Sequence, residues 1–112
     1  MDRIRLIRVP KNAEAAKQYN YGIIDEQEIV TLSINNAQFD HLLKLGVLDE
    51  LNDACDALID DYEEEVIGLE QIPTALSVIA SLIQDNPDKL LYQLQKLFIL
   101  AQKNGTLVGF DF

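Results

Sequence analysis

Apolar and polar residues alternate near both ends of this chain, and between the ends the apolar positions recur in steps of three and four. "RIRLIRV", from Arg3 to Val9, has the period of two that sends successive side chains to opposite faces of a strand. Its phase slips at Leu6-Ile7, which predicts a bulge or a two-sided strand, and Pro10 ends it. "KNAEAAKQYNYG" fits a short helix over Ala13 to Gln18, closed by the turn chemistry of Asn20 and Gly22. "IIDEQEIVTLSI" predicts a hairpin: Ile23-Ile24 as one arm, a polar turn at Asp25 to Gln27, and a strand from Glu28 to Ile34. In that strand Val30, Leu32 and Ile34 share one face, opposite Thr31 and Ser33.

The helical period then takes over. Asn35 or Asn36 caps a helix whose apolar stripe is Phe39, Leu42 and Leu43, and Gly46 closes it. A second helix begins at Val47 or Leu48. Its inward positions are Leu48, Leu51, Cys55, Leu58, Ile59, Tyr62 and Val66, and Gly68 stops it. A third starts near Ile72-Pro73. Only Thr74, Ser77, Ser81 and Gln84 give it a polar stripe, so it is expected to be the central, most buried helix. Asn86-Pro87-Asp88 supplies an N-cap, a first-turn proline and a first-turn acid for a fourth. That helix turns Leu90, Leu91, Leu94, Leu97, Phe98 and Ala101 inward and ends at Asn104-Gly105. In "TLVGFDF", Val108, Phe110 and Phe112 alternate as a half-buried strand.

A lone C-terminal strand leaves its backbone groups unpaired, so it must join the N-terminal ones. The expected fold is therefore α+β: about four helices packed on one face of a small, mainly antiparallel sheet of three to four strands. At 112 residues the whole chain, 1–112, reads as a single domain with enough length to bury a core without metals or disulfides. The single cysteine, Cys55, has no partner for an internal disulfide, which points to a reducing compartment, and the cytoplasm is the default. No apolar run reaches the roughly 18 residues of a membrane span, and the N-terminus lacks the composition of a signal peptide.

Charge changes the picture. The net charge is −10, from 19 acids and nine bases. Twelve of the acids lie between Leu45 and Asp88, where there is no base, which leaves seven acids against nine bases elsewhere. An acidic middle in a mildly basic frame repels nucleic acid and anionic lipid, so neither is expected as a partner. It favours a cationic partner, a cation, or plain solvation.

Catalytic patterns are sparse. His41 is the only histidine, and no cysteine lies near it; Cys55 falls on an inward stripe, as a small hydrophobe does. There is no glycine-rich phosphate loop, CxxC pair or nucleophile elbow. The acids do not alternate around a central glycine as a calcium loop requires. No enzyme activity, cofactor or metal is expected. An enzyme reading would need a deep pocket that gathers His41, Tyr21 and several carboxylates.

The densest acidic stretch, "DACDALIDDYEEEVIGLE", holds eight carboxylates from Asp53 to Glu70. On helical spacing Asp49, Asp53, Asp56, Asp60 and Glu63 or Glu64 form one outward stripe, while Leu58, Ile59 and Val66 anchor the opposite face. One reading is a solvated face that keeps the protein soluble. The other is a binding surface for a basic partner, made of Asp53, Asp56, Asp60, Asp61, Glu63, Glu64 and Glu65. Tyr62 belongs to that surface as an aromatic anchor, or to the core as part of the inward stripe.

Several segments together carry a resemblance. "IRLIRVPKN", "YGIID" with "EIVTL", "LLKLGVLDELNDACDALIDDYEEEVI", and "GTLVGFDF" after "LAQKNG" resemble, in order and character, small acidic immunity proteins of bacterial contact-dependent growth inhibition and other polymorphic toxin systems. The resemblance spans most of the chain and includes no diagnostic motif. It implies a cytoplasmic protein that binds and neutralises a cognate toxin domain, often a nuclease with a basic active site. It transfers no catalytic residue. The alternative is a non-catalytic regulatory or scaffolding module, monomeric or oligomeric, whose strand edges at Arg3–Val9 or Thr106–Phe112 pair with another chain.

Overall fold

A computed structural model describes residues 2–112. The fold is α+β, with a four-stranded antiparallel sheet and five helices. The strands are β1 (Arg5–Pro10), β2 (Ile29–Ile34), β3 (Glu64–Ile67) and β4 (Val108–Asp111). The helices are α1 (Ala13–Asn20), α2 (Asn36–Leu45), α3 (Val47–Cys55), α4 (Ile72–Asp85) and α5 (Lys89–Asn104). The sheet order is β2-β1-β4-β3, so the two terminal segments form its centre.

That order corrects the expected edges. Arg3–Val9 and Thr106–Phe112 supply the two inner strands, and the free edges belong to β2 and β3. β1 pairs with β2 in unbroken register from Arg5↔Ile34 to Pro10↔Ile29, so the phase slip marks a two-sided strand and no bulge. Arg5, Ile7 and Val9 point to the main core, while Leu6 and Arg8 point to the other face. Ile23 and Ile24 form no strand. They lie exposed in the segment that leads into β2 through a 3-10 turn at Glu26–Glu28.

The second helix is the largest correction. It ends at Cys55, about ten residues short of the expected end, because Asp56 turns left-handed at φ 53°. Asn52 then clamps the exit, donating to the Ile59 carbonyl at 2.9 Å and accepting the Ile59 N–H at 2.7 Å. Side-chain capping of this kind competes directly with helical hydrogen bonding. Residues 64–67 become β3, since β4 would otherwise leave one edge unpaired. Of the three expected anchors only Ile59 is buried; Leu58 is 79% exposed and Val66 lies on the exposed side of an edge strand.

Helical layering also differs from expectation. The central helix is α5, which packs on β1 and buries Leu90, Leu91, Leu94, Leu97, Phe98 and Ala101. α4 packs against α5 and α3 and buries a single stripe of Ile72, Ala75, Ile79 and Ile83. Its Thr74, Ser77, Ser81 and Gln84 face outward as expected, but so does Ala80. Phe98, Phe110 and Phe112 meet at the sheet–helix junction, and Phe39 of α2 meets Phe112 edge to face. Leu43 is exposed, which leaves Phe39 and Leu42 as the buried stripe of α2. The helices do not all share one face of the sheet. Tyr19 of α1 covers Gly109 on the face opposite Phe110.

Two caps fix where α2 and α5 begin. Asn35 and Gln38 form a reciprocal capping box at 2.8 and 2.9 Å. Asp88, not Asn86, caps α5 through the Leu90 and Leu91 N–H groups and also meets His41 Nε2 at 2.5 Å; Asn86 instead ends α4. Burial pushes the Asp88 carboxyl upward, but bonds from His41, Leu91 and Leu90 outweigh it and hold it below the usual range. A depressed folded-state pKa contributes stability above the unfolded-state value, and that stability is lost as pH falls through the folded one. Asp88→Asn keeps the cap but loses the charge. It is expected to cost about 1 kcal/mol at neutral pH. Wild type and variant are expected to converge in stability under strong acid, as read by denaturant titration across pH.

Candidate functional site

α3 turns Leu48, Leu51 and Cys55 inward, and its opposite side carries Asp49, Glu50 and Asp53. These three acids, with Asp56 and Leu58, line an open groove of about 830 Å³. The Asn52 clamp that buries Ile59 also holds Leu58 and Asp60 out. Leu58 donates its N–H to Glu65 Oε2 at 2.8 Å, which ties the loop back to β3. An exposed leucine is thus fixed among carboxylates on a pinned backbone.

The expected single helical stripe does not exist; its residues are divided among a helix, a loop and a strand. Asp53, Asp56, Asp60, Glu63 and Glu64 are exposed, and among the described residues no basic side chain bonds to them. Glu65 is half-buried, and its two oxygens accept the Leu58 and Val66 N–H groups. Tyr62 leaves the core altogether at 78% exposure and adopts φ 65°. The Arg3 guanidinium stacks on its ring at 4.0 Å.

Asp61 is not free either. Arg5 grips it with Nε to Oδ1 at 2.9 Å and Nη2 to Oδ2 at 3.0 Å, and Arg3 adds a third charged contact. Arg5 is only 6% exposed, lies 4.0 Å over the Phe39 ring and donates to Asn36 Oδ1 at 2.7 Å. Along the chain nothing basic neutralises the acidic block, but in space the N-terminal arginines neutralise Asp61. Sequence reading missed this pair. The available signal was an arginine among aliphatic residues of a strand, because a buried cation requires a carboxylate partner. Which of 19 acids supplies it depends on chain reversal.

The face of the sheet under α1 carries a second polar cluster. Arg8 donates to Asp111 Oδ2 at 2.9 Å and to Glu26 Oε1 at 3.2 Å, and the Tyr19 hydroxyl donates to Asp111 Oδ1 at 3.2 Å. Burial, then the Asp111 charge, push the Tyr19 phenol well above the usual tyrosine range, so it remains a donor. Arg8, Tyr19 and Asp111, with Glu64 and Val66, line a cleft of about 330 Å³. His41 and Tyr21 lie in separate depressions, His41 beside Asp88 and Tyr21 beside Leu69. Among the described residues no group of three or more His, Cys, Asp or Glu side chains converges as a metal site. No helix among them is long and apolar enough to cross a membrane.

Comparison with known proteins finds no matching family model, no matching curated relative and no matching solved structure for this chain.

Proposed function

We propose that this chain is a non-enzymatic inhibitor of the immunity type. It acts in the cytoplasm, where it binds a cognate toxin domain and covers a basic active site, such as that of a nuclease. The observation that carries this reading is the set of exposed carboxylates that no base pairs with among the described residues: Asp53 and Asp56 line the groove with the outward Leu58, Asp60 follows in the loop, and Glu63 and Glu64 lie further along, Glu64 on the cleft under α1. Solvated faces ordinarily mix both signs of charge; here the neighbouring base, Arg3 on the Tyr62 ring, is already held by Asp61. Nuclease sites hold polyanions and so carry basic side chains, which such a surface attracts over long range. Leu58 and Tyr62 provide apolar contact at the point of docking.

On this reading the residues that meet the partner are fewer than the whole acidic block. Asp61 and Glu65 are committed internally, so they position the surface and do not meet the partner directly. Asp49 and Glu50 join it through the groove.

The test is a triple reversal, Asp53→Lys, Asp60→Lys and Glu63→Lys, which spares the left-handed Asp56, assayed by stopped-flow association with a basic toxin domain. The on-rate is expected to fall at least about tenfold and to lose most of its dependence on salt, with the melting temperature nearly unchanged. Leu58→Ala is expected to raise the off-rate instead. Unchanged association by the triple variant would remove the acidic surface from consideration as the site.

A further inference from the structure

The two edges of the sheet are guarded very differently. β3 is four residues long and carries Glu64 and Glu65, with Glu63 just before it. One of its outward donors, the Val66 N–H, is already taken by the Glu65 carboxylate at 2.9 Å. β2 is six residues, "IVTLSI", with no charge, no proline and no glycine. Natural edge strands are usually blunted by charge, proline or a bulge, and β2 has none of these.

Its free backbone groups can be assigned. Lys11 donates its N–H to the Glu28 carbonyl at 2.9 Å, so Glu28 turns its backbone toward β1. Antiparallel ladders alternate, so Val30, Leu32 and Ile34 also bond inward, while Ile29, Thr31 and Ser33 point their N–H and C=O groups away from the sheet. Pro10, which has no N–H, lies opposite Ile29 and agrees with this phase. No turn or side-chain hydrogen bond among the described residues reaches those three outward donors.

We propose that β2 is a self-association edge, and that a second copy of this chain occupies it. The outward set Ile29, Thr31 and Ser33 is symmetric about Thr31. An antiparallel pair with its two-fold axis at Thr31 matches Thr31 with Thr31 and Ile29 with Ser33 of the other copy, so every outward group meets its complement. This register keeps the apolar side of both strands on the same face of one continuous eight-stranded sheet. It also separates like charges: Glu28 falls opposite Ile34, Glu26 opposite Asn36 and Asp25 opposite Ala37. The same operation on β3 would bring two Glu65 residues face to face, which disfavours that edge. A chain of net charge −10 can approach its own copy most readily where it carries no charge. This inference stands apart from the inhibitor reading. Because β2 and β3 are opposite edges, the dimer leaves both acidic surfaces free at its ends.

Sedimentation equilibrium of the intact protein is expected to give twice the chain mass, with little change between low and high salt. Thr31→Pro removes one outward donor, and Thr31→Lys places two like charges at the axis; each is expected to give a monomer. Circular dichroism checks that they fold. Should the proline variant fail to fold, the exposed lysine variant decides. Register is read separately. Hydrogen-bonded antiparallel partners have Cα atoms about 5.5 Å apart. A short bis-thiol cross-linker is therefore expected to link Thr31→Cys into a covalent dimer and to leave Ser33→Cys, two residues off the axis on each strand, monomeric, while the buried Cys55 stays out of reach. A monomeric wild type overturns the proposal. So does a dimer that folded Thr31→Lys leaves intact, or one in which Ser33→Cys cross-links and Thr31→Cys does not.

Discussion

Asp61→Ala is expected to lower the stability of the isolated protein by about 2–3 kcal/mol, the largest loss from any acidic substitution in the chain. The reason lies in what is left behind. Arg5 is 6% exposed and sits between the sheet and Phe39, so removing its carboxylate strands a cation that water reaches poorly. Loss of a fully buried pair costs roughly 3–5 kcal/mol. The Asp61 side chain retains 26% exposure, which lowers the figure. At this chain length the change corresponds to roughly 8–15 °C in melting temperature. A double-mutant cycle isolates the coupling: in an Arg5→Met background, Asp61→Ala should cost well under half as much. Additive single effects in thermal unfolding would show that the pair is not coupled. The result also bears on the proposed function, because charge reversal at Asp61 would disturb the loop that carries Asp60 and Tyr62, so a loss of binding there would not show that Asp61 itself touches a partner.

Gly109→Ala should be nearly as damaging, about 2 kcal/mol, for a steric reason. A Cβ at Gly109 would lie 2.6 Å from Tyr19 Cζ and 2.9 Å from Cε1, so the ring must leave the sheet. Its departure breaks the hydroxyl bond to Asp111 and opens the cluster that holds Arg8. Alkaline difference spectroscopy provides a direct reading. Tyr19 should ionise late in the wild type, because burial and Asp111 oppose its charged form, and at ordinary tyrosine pH in the variant. In a Tyr19→Ala background the same substitution should become neutral or slightly stabilising, since glycine inside a strand is otherwise a weak choice. A full penalty that persists there would locate the clash elsewhere.

Each misreading of the sequence has a definite source. Leu58, Tyr62 and Val66 fit helical spacing as extensions of Leu48, Leu51 and Cys55, so periodicity alone carried the helix too far. Asp56 and Asn52 stopped it by local backbone chemistry that apolar spacing does not register. β3 was illegible for another reason: "EEVI" offers only two apolar residues, and it is a strand because β4 offers it an edge. The candidate site was legible as a concentration of charge, since the absence of bases between Lys44 and Lys89 is a fact of composition. Its division into free and committed carboxylates was not. Asp60 and Asp61 are identical neighbours in the chain, yet one faces water and the other holds Arg5.

By itself the sequence determined the α+β class, the closing strand, the inward face of α5, the inward Phe39 and Leu42 of α2 and Leu48, Leu51 and Cys55 of α3, and the acidic middle, because local periodicity and composition encode those directly. Only the tertiary structure decided which strands are central, where α3 ends, and which acids remain unpaired. Those outcomes depend on residues distant in the chain, Arg5 with Asp61 and β4 with β3, and such pairings are set by how the whole chain closes its hydrogen bonds and buries its charges.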